Sequence, residues 1–217
     1  MIPNRYENVK FEDVPENIKA FYYRIRPDRK GIYIHGGVGT GKTHILYALW
    51  KKWMEDRDNE FLKIEDKKKE YEYDHYKRDE NGAVLSYFFD EAIDNTLTQE
   101  LEKLGRPRLT AQVINTTDML YEARKDYEAG AEYRESIINS SKLLMFDDIG
   151  SEKVTEWVEE FLYLAVNKRY EKNHPMLFTS NLPLSKLAEK IGDRTVSRIK
   201  EMCHIVELKG EDRRIKK

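Results

Sequence analysis

The sequence has a single cysteine, Cys203, among 217 residues. That excludes a disulfide framework and any cysteine-based zinc cluster. A lone cysteine reads most simply as a small buried hydrophobe. No stretch approaches the ~20 apolar residues of a membrane span, and the opening Met1-Ile-Pro-Asn-Arg-Tyr-Glu7 has no apolar signal region. A cytoplasmic protein without a membrane partner is expected. An excess of one charge is also missing: Lys plus Arg number 38 and Asp plus Glu 40, for a net charge of −2. This excludes a nucleic-acid binder that works by bulk charge alone, and an acidic tail protein. Internal repeats are absent, and low complexity is confined to the basic stretch from Arg213 to Lys217. The length suits one large domain, or one domain with an insertion.

What is present alternates. Residues 1–30 are polar with scattered aromatics: Tyr6, Phe11, Phe21, Tyr22 and Tyr23. Gly31-Ile-Tyr-Ile-His35 reads as a buried strand. After a glycine-rich turn, Ile45, Leu46, Leu49, Trp50, Trp53 and Met54 mark one helix face. Residues 56–109 differ in composition and are read as a charged, tyrosine-rich insertion. Within it Asn81-Gly82 predicts a hairpin turn with a returning strand from Ala83 to Phe89. Thr96 and Gln99 have capping-box spacing for a helix from Thr96 to Leu104. Strands are predicted at 111–114, 142–146, 176–179 and 204–208, with helices at 117–128, 154–166, 184–191 and 195–202. Strands separated by helices imply a parallel sheet with helices on both faces, an α/β fold.

Four segments carry chemistry. Gly36-Gly37-Val38-Gly39-Thr40-Gly41-Lys42-Thr43 fits G-x-x-x-x-G-K-[ST] between a predicted strand and a predicted helix. Its glycines let successive N–H groups face one anion, and the helix start aims its positive end at phosphate. Lys42 suits the β- and γ-phosphates of ATP or ADP, and the Thr43 hydroxyl suits Mg²⁺. The second segment, Leu143-Leu-Met-Phe146-Asp147-Asp148, ends a buried strand in two carboxylates, where ligands of open α/β sheets bind. Asp147 would hold Mg²⁺, directly or through water, and Asp148 would orient or deprotonate an attacking water; alone, the pair would read as an ordinary turn. The third, Thr179-Ser180-Asn181, places an amide able to bind a phosphate oxygen and that water. In the fourth, Arg194 and Arg198 share a helix face. They suit an arginine finger reaching a neighbouring subunit, or surface pairing with Asp193 or Glu189.

In their order, these segments resemble the AAA+ ATPases, in the branch of the bacterial replicative helicase loaders (DnaC and DnaI type) and the IstB transposition ATPases. Gly-Lys-Thr-His44, Asp-Asp-Ile-Gly150 and Gly-Glu-Asp-Arg-Arg214 look like that branch, over about residues 5–55 and 110–215. The resemblance implies a P-loop, three-layer α/β/α domain without a sizeable C-terminal helical lid. It implies one such domain over 1–217, interrupted by the insertion at about 56–109. By resemblance Lys42 is the phosphate-binding lysine, with Gly36 to His44 forming the cradle. Thr43 and Asp147 are the magnesium contacts, Asp148 the catalytic carboxylate and Asn181 the sensor. Arg198 is the finger with Arg194 its competitor, and Arg214 matches a C-terminal arginine. The implied protein is a slow, oligomer-dependent ATPase with its site at a subunit interface. Its implied partners are a replicative helicase or transposition protein, and weakly held single-stranded DNA. For the DNA, Lys103, Arg106 and Arg108 are candidates, as are Lys67, Lys68 and Lys69 with Tyr71 and Tyr73. A small-molecule kinase on the same loop is the alternative from another class. A third is a module that holds nucleotide and barely turns it over.

Overall fold

The computed structural model of the chain describes residues 2–74, 76–78, 84–87, 91–104, 111–125, 142–151 and 154–213. Two compact units emerge, residues 1–52 with 111–217, and residues 53–110.

The larger unit is built on a five-stranded, all-parallel sheet. Its strands are β1 (Gly31–His35), β4 (Ala111–Asn115), β5 (Leu143–Asp147), β6 (Met176–Ser180) and β7 (Cys203–Glu207), in the order β4-β5-β6-β1-β7. The three central strands are almost wholly apolar until their last residue, as expected of strands buried on both faces. Helices of this unit flank the sheet: α1 (Glu16–Asp28), the part of α2 (Lys42–Asp74) up to Lys52, α4 (Thr116–Lys125), α5 (Glu156–Glu171), α6 (Leu184–Ile191) and α7 (Asp193–Met202). The Thr155 hydroxyl starts α5 by accepting the Val158 N–H at 3.4 Å. Val158, Phe161, Leu162, Ala165 and Val166 of α5 then bury against the sheet. In the core Phe146 and Phe178 of adjacent strands stack with centroids 5.8 Å apart.

In the second unit, β2 (Tyr76–Arg78) and β3 (Val84–Tyr87) pair antiparallel, with Tyr76 opposite Tyr87, and α3 (Glu91–Leu104) follows. The hairpin pairing expected for this stretch is present. Its Asn81-Gly82 turn lies outside the described residues, as do Arg106 and Arg108.

Three expectations need correction. Residues 16–28, in a segment that reads only as polar with scattered aromatics, form α1, which buries Ile18, Tyr22 and Ile25 at helical spacing. The helix after the glycine loop extends to Asp74, because its Lys- and Glu-rich second half is a good helix former. Thr96 lies inside α3, which begins at Glu91, so Thr96 and Gln99 do not form a capping box.

Candidate functional site

Strand β1 ends at His35, and the loop of residues 36–41 carries the chain into α2, whose first residues are Lys42 and Thr43. Two glycines of the loop hold conformations closed to most other residues, Gly39 at φ +76° and Gly41 at φ +100°. A Cβ on Gly39 would collide with the Asp212 carboxylate. The Arg213 N–H donates to the Gly39 carbonyl at 3.1 Å, so the segment after β7 lies along the loop. From inside, Lys42 braces the loop: its buried Nζ donates to the carbonyls of Gly36 at 2.9 Å and Gly37 at 2.7 Å. The Thr40 hydroxyl closes the turn onto the Gly37 carbonyl at 2.9 Å.

Adjacent strands bring the acidic residues to the same end of the sheet. Thr43 Oγ1 donates to Asp147 Oδ1 at 3.0 Å, and Thr179 Oγ1 donates to that oxygen at 2.6 Å. Burial raises the Asp147 carboxyl above the usual carboxylate range, and these two hydroxyls pull it back. Asp148 turns into a left-handed conformation at φ +58°, uncommon outside glycine but tolerated by Asp. Three contacts hold it: its N–H donates to Thr179 Oγ1 at 2.8 Å, its carbonyl accepts Ser151 Oγ at 2.8 Å, and its Oδ1 accepts Asn181 Nδ2 at 2.8 Å.

A cavity of about 570 Å³ opens over this end of the sheet. Val38, Gly39, Gly41, Lys42, Thr43, His44, Asp148, Thr179 and Asn181 line it. The structure therefore gathers the glycine loop, Asp148 and the Asn181 amide around one space. Asp147 stands behind Thr43 and Thr179, 7 % exposed and not part of the lining. Gly36, Gly37 and Thr40 shape the loop from beneath. His44 faces the cavity; burial lowers its pKa, Asp13 opposes that and Arg213 adds to it. Three further lining residues, Arg5, Tyr6 and Arg213, were not singled out from sequence. Tyr6 is stacked on Tyr47 of α2, with centroids 4.7 Å apart, and Tyr6 itself lies in a segment without a motif. Arg214, the C-terminal arginine chosen from the resemblance, lies outside the described residues.

Arg194 and Arg198 do not line this cavity. The Arg198 guanidinium lies over the rings of Tyr163 and Tyr170, 5.0 and 5.7 Å from their centroids, and donates to the Arg194 carbonyl at 3.2 Å. Arg194 is exposed and borders a separate depression with Glu156, Glu159, Glu160 and Asp193.

The residues present fit a nucleotide with its magnesium ion. The loop offers backbone N–H groups and a fixed ammonium to phosphates. The donor set for the ion is one hydroxyl and one carboxylate, both hard oxygens. Thr43 gives its single proton to Asp147, which leaves its lone pairs for a cation. Among the described residues no group of three or more His, Cys, Asp or Glu is arranged to hold a metal ion. Magnesium at phosphate sites needs no such cluster, since phosphates and water complete its shell.

A glycine-rich loop after β1, a paired acidic strand end on β5 and a parallel sheet ordered β4-β5-β6-β1-β7 give the three-layer fold of the P-loop AAA+ domains. The chain belongs to the family of IstB-like ATP binding proteins, whose model matches residues 107–217. Solved structures agree on the fold. The DnaC helicase loader superposes with a TM-score of 0.62 at 20% identity, over 95% of this chain and 100% of that one. DnaI gives 0.60 at 20% identity, over 98% and 94%. AMPPCP-bound DnaA from Aquifex aeolicus gives 0.58 at 18% identity, over 94% and 51%. No curated protein matches the sequence.

Proposed function

We propose that the protein is a magnesium-dependent ATPase that acts in DNA replication by remodelling or loading a partner on single-stranded DNA. The observation that carries the reading is the joint placement of Lys42, Thr43, Asp148 and Asn181 around one cavity, with Asp147 bonded behind them. Lys42 and the loop hold the β- and γ-phosphates. Thr43 and Asp147 hold the ion, which supplies charge neutralisation on the phosphates when bound. Asp148 is the base toward the attacking water, and Asn181 fixes its carboxylate and offers an amide to the γ-phosphate. Arg198, with Arg194 its competitor for the role, acts on a neighbouring subunit's nucleotide in a homo-oligomer. The likeness to the DnaC helicase loader over that chain's whole length supports a replicative helicase as partner. The family match favours a second reading, an ATPase that serves a transposition protein. No helix among the described residues is long and apolar enough to cross a membrane, in keeping with action in the cytoplasm.

Turnover with and without single-stranded DNA tests the reading. Wild type should hydrolyse ATP only with Mg²⁺. Asp148→Asn should still bind ATP and lose roughly 100-fold or more in kcat, the scale of a lost general base. Asp148→Asn turnover equal to wild type would contradict the assignment.

A further inference from the structure

The regular pairing of β5 with β6 ends at Phe146 opposite Phe178. Beyond it the two strands stay joined through Thr179. Its carbonyl accepts the Ile149 N–H at 2.9 Å. Its hydroxyl does more: the proton goes to Asp147 Oδ1 at 2.6 Å, and the oxygen accepts the Asp148 N–H at 2.8 Å. One hydroxyl thus restrains the side chain of the first acidic residue and the backbone of the second. The residue is 1 % exposed, so water does not compete for either bond. A β-branched side chain in a strand also has few rotamers, which keeps the hydroxyl in place.

Both bonds fall where freedom would be costly. Asp147 must present a defined carboxylate geometry to an ion. Thr43 and Thr179 both donate to its Oδ1, and among the described residues nothing donates to its Oδ2. Asp148 sits in a left-handed turn that an L-residue leaves readily unless its surroundings hold it. Ser151 and Asn181 hold the carbonyl and side chain of Asp148, and Thr179 holds its N–H.

We propose that Thr179 is a positioning residue that sets the ion-holding and water-activating carboxylates together through one hydroxyl. The proposal rests on the ATPase reading of the site. The hydroxyl, rather than the bulk of the side chain, is the working part, so Ser should replace Thr and neither Val nor Ala should.

The test is a titration of ATP turnover with Mg²⁺ for wild type, Thr179→Ser, Thr179→Val and Thr179→Ala, with binding of a fluorescent ATP analogue in EDTA measured alongside. Val keeps the shape and Ala relieves any clash, so the comparison uses whichever of the two melts like a folded protein. That variant should bind the analogue without metal within threefold of wild type. Its half-saturating Mg²⁺ should rise at least tenfold and its kcat fall at least 30-fold. Thr179→Ser should return both to within threefold of wild type. Wild-type Mg²⁺ dependence in the hydroxyl-free variant overturns the proposal alone, and so does a Ser variant as impaired as Val or Ala. A wild-type protein without Mg²⁺-dependent turnover overturns the reading of the site, and the proposal with it.

Discussion

At the scale of single residues, the site divides into a part that lies in one stretch of chain and a part that does not. Gly36 to Thr43 form a contiguous pattern, and the structure sets Lys42 and Thr43 in the lining of one cavity. Thr179 is different. Its importance comes from two bonds to the end of a neighbouring strand, 31 and 32 positions away; the sequence places it beside Asn181 and gives its hydroxyl no role. Asp148 was readable as an acid at a strand end, but its left-handed backbone was not, since only the bonds from Thr179, Ser151 and Asn181 make that conformation affordable. Cys203 illustrates the opposite case, where the simplest reading of a residue suffices. It is buried on β7, and burial pushes its thiol well above its ordinary pKa. A thiol reagent at pH 8 should therefore leave the native protein unmodified and label it stoichiometrically in denaturant; rapid labelling of the folded protein would contradict this burial.

At the scale of elements, the apolar strands and the amphipathic helices of the second half were readable because their periods are unambiguous. Helix α1 was missed although Ile18, Tyr22 and Ile25 recur at spacings of four and three. Its pattern is diluted by exposed aromatics such as Tyr23, and Pro27 lies in its last turn. The run from Glu55 to Asp74 was misread for the converse reason, since a helix without an apolar stripe leaves only propensity as a signal. Tertiary bonds that tie elements together leave no sequence signature. Arg169 on α5 is fully buried and donates to the carbonyls of Lys142 and Pro175, both at 3.1 Å, joining the approaches to β5 and β6. Burial lowers its pKa to about 10, which still leaves it charged at neutral pH. Replacing it with Leu strips two carbonyls of their donor, at ~1–3 kcal/mol each. Arg169→Leu should lose about 2–6 kcal/mol in denaturant unfolding, and a loss under about 1 kcal/mol would show that the two bonds contribute little.

At the scale of the whole molecule, the strand order places the ends of β1, β5 and β6 side by side, and that juxtaposition builds the cavity. The parallel α/β class followed from the alternation of elements, whereas the order of strands did not, because several orders satisfy the same alternation. Arg194 and Arg198 lie outside the cavity, so a role for either in hydrolysis requires a second copy of the chain. Turnover per subunit should accordingly rise with protein concentration. Mixing Arg198→Ala subunits with Lys42→Ala subunits should restore part of the activity that each lacks alone, and the same mixture with Arg194→Ala compares the two arginines. Turnover that is unchanged on dilution to a monomer would rule out a finger acting in trans.

The central claim is that Gly36 to Thr43 hold the phosphates of ATP, with Lys42 as the fixed cation. Calorimetric titration of ATP with Mg²⁺ into wild type and Lys42→Ala tests it most directly. Losing the ammonium should weaken binding at least about 100-fold, or ~2.7 kcal/mol, and a thermal melt of the free variant should show a folded protein, at a lower temperature because the Gly36 and Gly37 carbonyls lose their donor. Equal affinity in the two proteins would contradict the account.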